Sequence, residues 1–108
     1  MKRNVRIVYV GDAKDALLRM TDKIILNSLK QKEAVLRQDP QYGDHIGRKY
    51  IPAALTERYG TDSLWRLGLA GYWRTIYTIT GNSAEIVVII LDVVDHQQYD
   101  KLFGYKKK

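Results

Sequence analysis

The chain of 108 residues is 45% hydrophobic, so it fits one domain with a buried core of modest size. Lys and Arg total 18 against 12 Asp and Glu; the net charge of +6 favours a polyanionic partner, although a merely soluble basic protein is also consistent with it. Because cysteine is absent, disulfides, thiolate zinc sites and cysteine nucleophiles are excluded, and a cytoplasmic protein is expected. The longest apolar run, Ile86 to Leu91, is too short to cross a bilayer, and the N-terminal sequence MKRNVRIVYV lacks a signal-peptide hydrophobic region, so no membrane association is expected.

The N-terminal part of the sequence predicts a strand followed by helices. Residues 4–10 are rich in β-branched side chains, and Asp12 follows as a candidate helix N-cap. Apolar residues then recur at helical spacing over residues 13–38. Thr21-Asp22 offers an internal cap, which leaves both one long helix and a hairpin of two helices open. Pro40 ends the helical segment, because the residue before a proline avoids the α region.

A loop that contains several glycines is expected over residues 41–62, with a short helical turn at residues 53–59. Its Arg48-Lys49-Tyr50 cluster combines two cations with an aromatic ring, so it has the side chains to grip a phosphate backbone and to stack on a base. The alternative is a solvated loop in which Tyr50 folds over the core.

Three strands joined by tight turns are predicted over residues 64–69, 72–80 and 85–94, with a short helical turn at residues 100–103. The last of these strands is apolar on both faces, which is typical of an interior strand, and the first strand of the chain would pair beside it. The predicted fold is therefore α+β. A single domain spans residues 1–108, in which an N-terminal strand and a helical hairpin pack on an antiparallel meander sheet.

Residues suited to phosphate chemistry are grouped at one end of this predicted sheet. Arg66 and Arg74 lie on neighbouring strands, and His96 and Tyr99 follow directly after the last strand. A guanidinium binds two phosphate oxygens at once, and an imidazole transfers protons near neutral pH, so these residues suit RNA phosphate chemistry. Further contacts to an RNA backbone are predicted for the cations Arg48, Lys49, Lys106, Lys107 and Lys108.

Structural roles compete with each of these interpretations. The two arginines could form surface ion pairs, and a single histidine after a strand is more often a hydrogen-bonded residue than a catalyst. Asp92 and Asp95 flank the site, where Asp95 would either orient His96 or cap the final turn. With two histidines and no cysteine, a metal site is not expected. Core or cross-strand packing is expected for the aromatic residues Trp65, Tyr72, Trp73 and Tyr77.

The order of strand, helices and meander resembles the RelE/ParE toxin superfamily, particularly its RelE-like branch. The resemblance covers nearly the whole chain and is carried by WRLGLAGYWRTIYTI followed by IVVIILDVVDHQQYDKLFGY. Within these segments, the most specific pieces are Trp65-Arg66, the Arg-x-Ile-Tyr strand that begins at Arg74, and the His-x-x-Tyr motif from His96 to Tyr99.

The resemblance implies the toxin of a type II toxin–antitoxin system, a ribosome-dependent mRNA endoribonuclease that uses neither a metal nor another cofactor. In such a toxin the 2′-OH of the message attacks the adjacent phosphodiester. Arg74 and Arg66 would stabilise the charged phosphoryl transition state, and His96 would be the general acid or base. Tyr99 would stack on a nucleobase.

The resemblance also implies the partners. These are the ribosome, mRNA and a cognate acidic antitoxin, through which the toxin–antitoxin complex would bind operator DNA. Two other functions stay open at this point: a ParE-like inhibitor of DNA gyrase, and a non-catalytic homologue that acts only within an antitoxin repressor complex.

Overall fold

A computed structural model describes residues 3–104 of the chain. Two 3₁₀ turns, at Arg48–Tyr50 and Ala70–Tyr72, interrupt the loops between the regular elements. The strands and helices, in chain order, are β1 Asn4–Tyr9, α1 Gly11–Arg19, α2 Lys23–Gln38, β2 Asp44–His45, α3 Ala53–Tyr59, β3 Trp65–Gly68, β4 Arg74–Gly81, β5 Glu85–Val94 and α4 His96–Phe103.

The five strands form one mixed sheet in the order β1-β5-β4-β3-β2. β1 runs parallel to β5, whereas the other neighbouring strands are antiparallel, so the predicted meander is β3-β4-β5. β5 has a neighbour on each side, which confirms the interior position predicted from its apolar sequence. The short edge strand β2 was not predicted, because two residues are too few to show an alternating pattern.

The helical segment is a hairpin of two helices. Asp22 caps α2, since its carboxylate accepts hydrogen bonds from the backbone N–H groups of Ile24 and Ile25 at 2.9 and 3.5 Å. The N-cap predicted at Asp12 is wrong, because α1 begins at Gly11, two residues earlier than predicted, and its N-cap position is Val10. Asp12 instead pairs with Arg58 of α3 at 2.8 Å.

Two hydrophobic cores cover the two faces of the sheet. Successive residues of β5 alternate between them: Val88 and Ile90 belong to one core, and Leu91 and Val94 belong to the other. The first core packs α1 and α2 against the sheet, and the second packs α3 and α4 against the opposite face. Within residues 3–104, no helix combines the length and the apolar sequence needed to cross a bilayer.

β3 ends earlier and β4 begins later than the sequence predicted: β3 ends at Gly68 and β4 begins at Arg74. The reason is the tight turn at Ala70–Tyr72, which separates the two strands. Packing was expected for Tyr72, and this prediction is wrong because its side chain is exposed at the turn. The packing predicted for Trp65 and Tyr77 is confirmed, since their rings stack across the two strands with centroids 6.1 Å apart.

Gly43 lies just before β2, next to the hydroxyl end of the Tyr77 side chain. Its backbone N–H donates to the Tyr77 hydroxyl at 3.0 Å, and that hydroxyl donates to the Pro40 carbonyl, also at 3.0 Å. A Cβ at Gly43 would lie 2.5 Å from the Arg66 carbonyl oxygen, so a larger residue would displace β2 from β3.

Candidate active site

The four residues predicted from sequence as a site form one connected cluster around Tyr99. Arg66 Nη1 donates to the Tyr99 hydroxyl at 2.9 Å. The Arg74 guanidinium carbon lies 4.5 Å from the centroid of the Tyr99 ring. Arg74 Nη1 also lies 3.3 Å from His96 Nδ1, so the cluster joins both arginines, the histidine and the tyrosine.

The register of the sheet places the two arginines on the same face. Arg66 of β3 is opposite Ile76 of β4, and Arg74 lies two residues before Ile76 on the same strand. Because side chains alternate along a strand, both guanidinium groups project with Ile76 toward the core beneath α4.

The first turn of α4 supplies the other two residues of the cluster. Asp95 and Gln98 form a capping box: the Asp95 carboxylate accepts from the Gln98 N–H at 2.8 Å, and the Gln98 side chain accepts from the Asp95 N–H at 3.2 Å. The helix therefore begins at His96, and residues three apart, such as His96 and Tyr99, share one side of it.

Tyr99 is a buried residue, with 1% of its surface exposed. Its ring stacks on Phe103 at a centroid distance of 4.5 Å and also contacts the Arg74 guanidinium. The stacking on a nucleobase that was predicted for Tyr99 is therefore inconsistent with its position, because a base needs an open ring face.

The contacts of His96 assign a tautomer to its imidazole. A guanidinium N–H can only donate, so the contact with Arg74 makes Nδ1 an acceptor without a proton. The proton of the neutral ring then lies on Nε2, which is 3.3 Å from the Asp100 carboxylate one helical turn later. Asp100 thus orients the imidazole, whereas Asp95, the carboxylate considered from sequence, caps the helix.

Asp44 of β2 lies beside Arg66. Its carboxylate is 3.6 Å from Arg66 Nε, in a pair that is partly open to solvent. Such a pair contributes little to stability, but it restrains the Arg66 guanidinium on the side of β2. Asp44 and Asp100 were both missed from sequence, although the i,i+4 spacing of His96 and Asp100 was a usable signal once α4 was known to begin at residue 96.

Neither a family model nor a curated protein matches this sequence. Among solved structures, the chain is similar to a YoeB/ParE toxin from Agrobacterium tumefaciens, with a TM-score of 0.59 and 13% identity over 84% of this chain and 98% of that chain. The chain has the fold of that toxin. The predicted α+β fold and the resemblance to the RelE/ParE superfamily are thereby confirmed at the level of the fold.

The other cations predicted to bind RNA either have contacts with residues outside the Tyr99 cluster or lie outside the described residues. Arg48 pairs with Asp62 at 3.3 Å, and Lys49 Nζ lies 5.1 Å from the centroid of the Tyr50 ring. Tyr50 is exposed, so it does not fold over the core. The predicted contacts of Lys106, Lys107 and Lys108 fall beyond residue 104, outside the part of the chain that the structure describes.

Asp92 is a buried carboxylate on β5, with 6% of its surface exposed. It accepts hydrogen bonds from the Tyr59 hydroxyl and from the Val93 N–H, both at 2.9 Å. Burial raises the pKa of Asp92, and the nearby charge of Asp12 raises it further, while the hydrogen bond from Tyr59 opposes the rise. Burial also raises the pKa of Tyr59, with a further contribution from the charge of Asp92.

Proposed function

We propose that this protein is the toxin of a type II toxin–antitoxin system and that it cleaves messenger RNA on the ribosome. The observation that carries the proposal is the convergence of Arg66, Arg74 and His96 around Tyr99. The fold shared with a YoeB/ParE toxin supports the toxin class, and the cationic cluster supports RNA as the substrate.

The reaction that suits the cluster is transesterification within the RNA chain. The 2′-oxygen attacks the adjacent phosphorus, so a bond from phosphorus to O2′ forms while the bond to O5′ breaks. The products are a 2′,3′-cyclic phosphate and a 5′-hydroxyl end. Negative charge grows on the phosphoryl oxygens in the transition state, where the permanently charged Arg66 and Arg74 stabilise it.

His96 is the proton carrier in this proposal. In the assigned tautomer, Nδ1 has a lone pair that faces Arg74, and it becomes accessible when that guanidinium turns to a phosphate. Nδ1 then takes the proton of the 2′-OH, and the imidazolium that forms is stabilised by Asp100 at Nε2. The departing O5′ takes its proton from solvent, which closes the proton balance.

Tyr99 is a positioning residue in this scheme. Its hydroxyl accepts from Arg66 and so fixes that guanidinium, and its ring lies against the guanidinium of Arg74. A donor that is fixed before the reaction, as Arg66 is here, stabilises a transition state without reorganising during it.

The proposal includes partners as well as a reaction. A cognate acidic antitoxin would cover the cationic cluster through complementary charge and apolar contact, and the complex would bind operator DNA through the antitoxin. The ribosome would present the message, since the isolated cluster offers few groups with which to bend an RNA strand.

The test is cleavage of a defined message on translating ribosomes by purified protein. Arg74→Ala should slow cleavage by roughly a hundredfold or more, because one transition-state donor of this kind is worth that much. The control is Arg6→Ala. It removes an exposed arginine of β1 that pairs with Glu85 of β5. An intact message with the wild-type protein, or equal cleavage by the Arg74 variant, would contradict the proposal.

Two further measurements separate the alternative functions. Inhibition of DNA supercoiling by gyrase, with the message left intact, would identify a gyrase inhibitor instead. Normal growth of cells that express the chain without an antitoxin, together with an intact message, would identify a non-catalytic homologue.

A further inference from the structure

Tyr72 has an unusual backbone conformation. Its φ is +63°, and within residues 3–104 it is the one residue other than glycine with a positive φ. An aromatic side chain is strained in this region, which glycine, asparagine or aspartate occupies more readily. Strain of this kind persists where the surrounding structure imposes it, and it is concentrated at functional sites.

The Tyr72 ring is also the most exposed large apolar side chain in the described part of the molecule, at 81%. A single exposed ring has no special meaning by itself. At Tyr72, however, exposure accompanies a conformation that a smaller residue would adopt at lower cost. Neither burial nor backbone geometry therefore accounts for a tyrosine at this position.

The turn that carries the ring is held rigidly. Leu69 N–H donates to the Trp73 carbonyl at 2.7 Å, and Trp73 N–H donates to the Ala70 carbonyl at 3.3 Å. Ala70 N–H donates to the hydroxyl of Ser28 at 2.9 Å, which ties the turn to α2. Because the backbone is already fixed, a ligand that contacts the ring loses little conformational entropy by ordering the turn.

The position of the turn points to the ligand. Tyr72 precedes Arg74 by two residues, so their Cα atoms are at most about 7 Å apart. Arg74 belongs to the cluster proposed to bind the scissile phosphate. A ligand that brings a phosphate to Arg74 and a flat ring to a neighbouring aromatic side chain is a nucleotide of single-stranded RNA.

We propose that Tyr72 is a stacking platform for a base of the RNA substrate, next to the phosphate that Arg74 binds. The inference rests on the proposed nuclease function and gives to Tyr72 the role that burial denies to Tyr99. As a platform on the rim of the site, Tyr72 binds substrate and does not take part in proton transfer.

The test measures binding of a labelled oligoribonucleotide of roughly ten nucleotides by fluorescence anisotropy, alongside cleavage on ribosomes. Tyr72→Asn removes the ring and tolerates the positive φ, and we expect it to weaken RNA binding by about tenfold. Tyr72→Phe keeps the ring and should bind like the wild type. Tyr42→Asn is the matched control, because Tyr42 is also exposed, at 54%, and lies on the loop after α2.

A second series of oligoribonucleotides, each with one base removed, locates the stacked base. Wild-type protein should bind one member of the series more weakly than it binds the complete oligoribonucleotide. Tyr72→Asn should bind that member as well as it binds the complete oligoribonucleotide, because removal of the base and removal of the tyrosine ring eliminate the same contact. Equal RNA affinity of wild type and Tyr72→Asn would overturn the inference while leaving the nuclease proposal intact, and would point to a protein partner for the ring. A wild-type protein that neither binds nor cleaves RNA would overturn both.

Discussion

At the scale of single residues, the contacts of Tyr99 define the candidate site. The hydroxyl contacts one arginine and the ring contacts the other, so a buried residue of the core also sets the geometry of the cationic cluster. Its two functions are separable, because removing the hydroxyl alone leaves the ring against Arg74 and Phe103.

Tyr99→Phe tests this separation. We expect kcat for message cleavage to fall at least about tenfold with little change in KM, because Arg66 loses a hydrogen bond that positions it for the transition state. The free energy of unfolding should fall by about 1 kcal/mol.

Tyr9→Phe is the control for the Tyr99 variant. It removes another partly buried hydroxyl, which donates to Glu33 at 2.6 Å. Tyr9 packs against the hydrophobic core on the opposite face of the sheet. It should lower stability without slowing cleavage, and an unchanged kcat for Tyr99→Phe would argue against a positioning role.

At the scale of elements, α4 links the sheet to the site. Its capping box fixes the first helical residue, and with it the direction in which His96 faces Arg74 and Asp100. α2 begins with a comparable cap at Asp22, but this helix packs on the other face of the sheet.

The two caps form a matched pair for an experiment. Asp95→Ala and Asp22→Ala should each lower the free energy of unfolding by about 1 kcal/mol, as measured in urea. Cleavage should slow in the Asp95 variant alone, since fraying of the first turn of α4 displaces His96. Equal rates for the two variants would show that the cap of α4 contributes only stability.

At the scale of the whole molecule, a chain of polar contacts joins α1, α3 and β5. Asp12 pairs with Arg58 at 2.8 Å, the Arg58 guanidinium lies 6.0 Å from the centroid of the Tyr59 ring, and the Tyr59 hydroxyl donates to Asp92. The buried end of this chain is a carboxylate whose pKa is raised, mainly by burial.

This raised pKa predicts a pH dependence of stability. A group whose pKa is higher in the folded state than in the unfolded state binds its proton more tightly in the folded state. Asp92 therefore contributes stability at a pH below its unfolded-state pKa, and this contribution is lost as pH rises through its folded-state pKa. In urea unfolding, the stability of wild type relative to Asp92→Asn should therefore increase as pH falls from 7 toward about 4.

Tyr59→Phe sharpens the measurement of Asp92. Without the hydrogen bond that lowers the pKa of Asp92, the pH range of the effect should move upward. Parallel stability curves for wild type and Asp92→Asn over the whole range would show that Asp92 does not titrate in the folded state in this way.

Much of the fold followed from local sequence. The apolar stretch of β5 predicted an interior strand, and the cap at Asp22 was recognisable from a short polar side chain before an apolar periodic segment. Asp12 had the same local signature and was wrongly predicted as a cap. Its carboxylate pairs with Arg58, a residue 46 positions away, and no local pattern encodes such a contact.

The sequence by itself determined which chemical groups the candidate site contains and that two neighbouring strands and the segment after the last strand bring them to one end of the sheet. The helix that carries His96 and Tyr99 was not predicted, since the expected helical turn began only at residue 100. Only the tertiary structure decided which tyrosine is buried and which is exposed. Tyr99 faces the core because α4 closes over the sheet, and Tyr72 faces solvent because a strained turn ends both strands. Burial depends on contacts between residues far apart in the chain, so side-chain type alone does not assign the role of either ring.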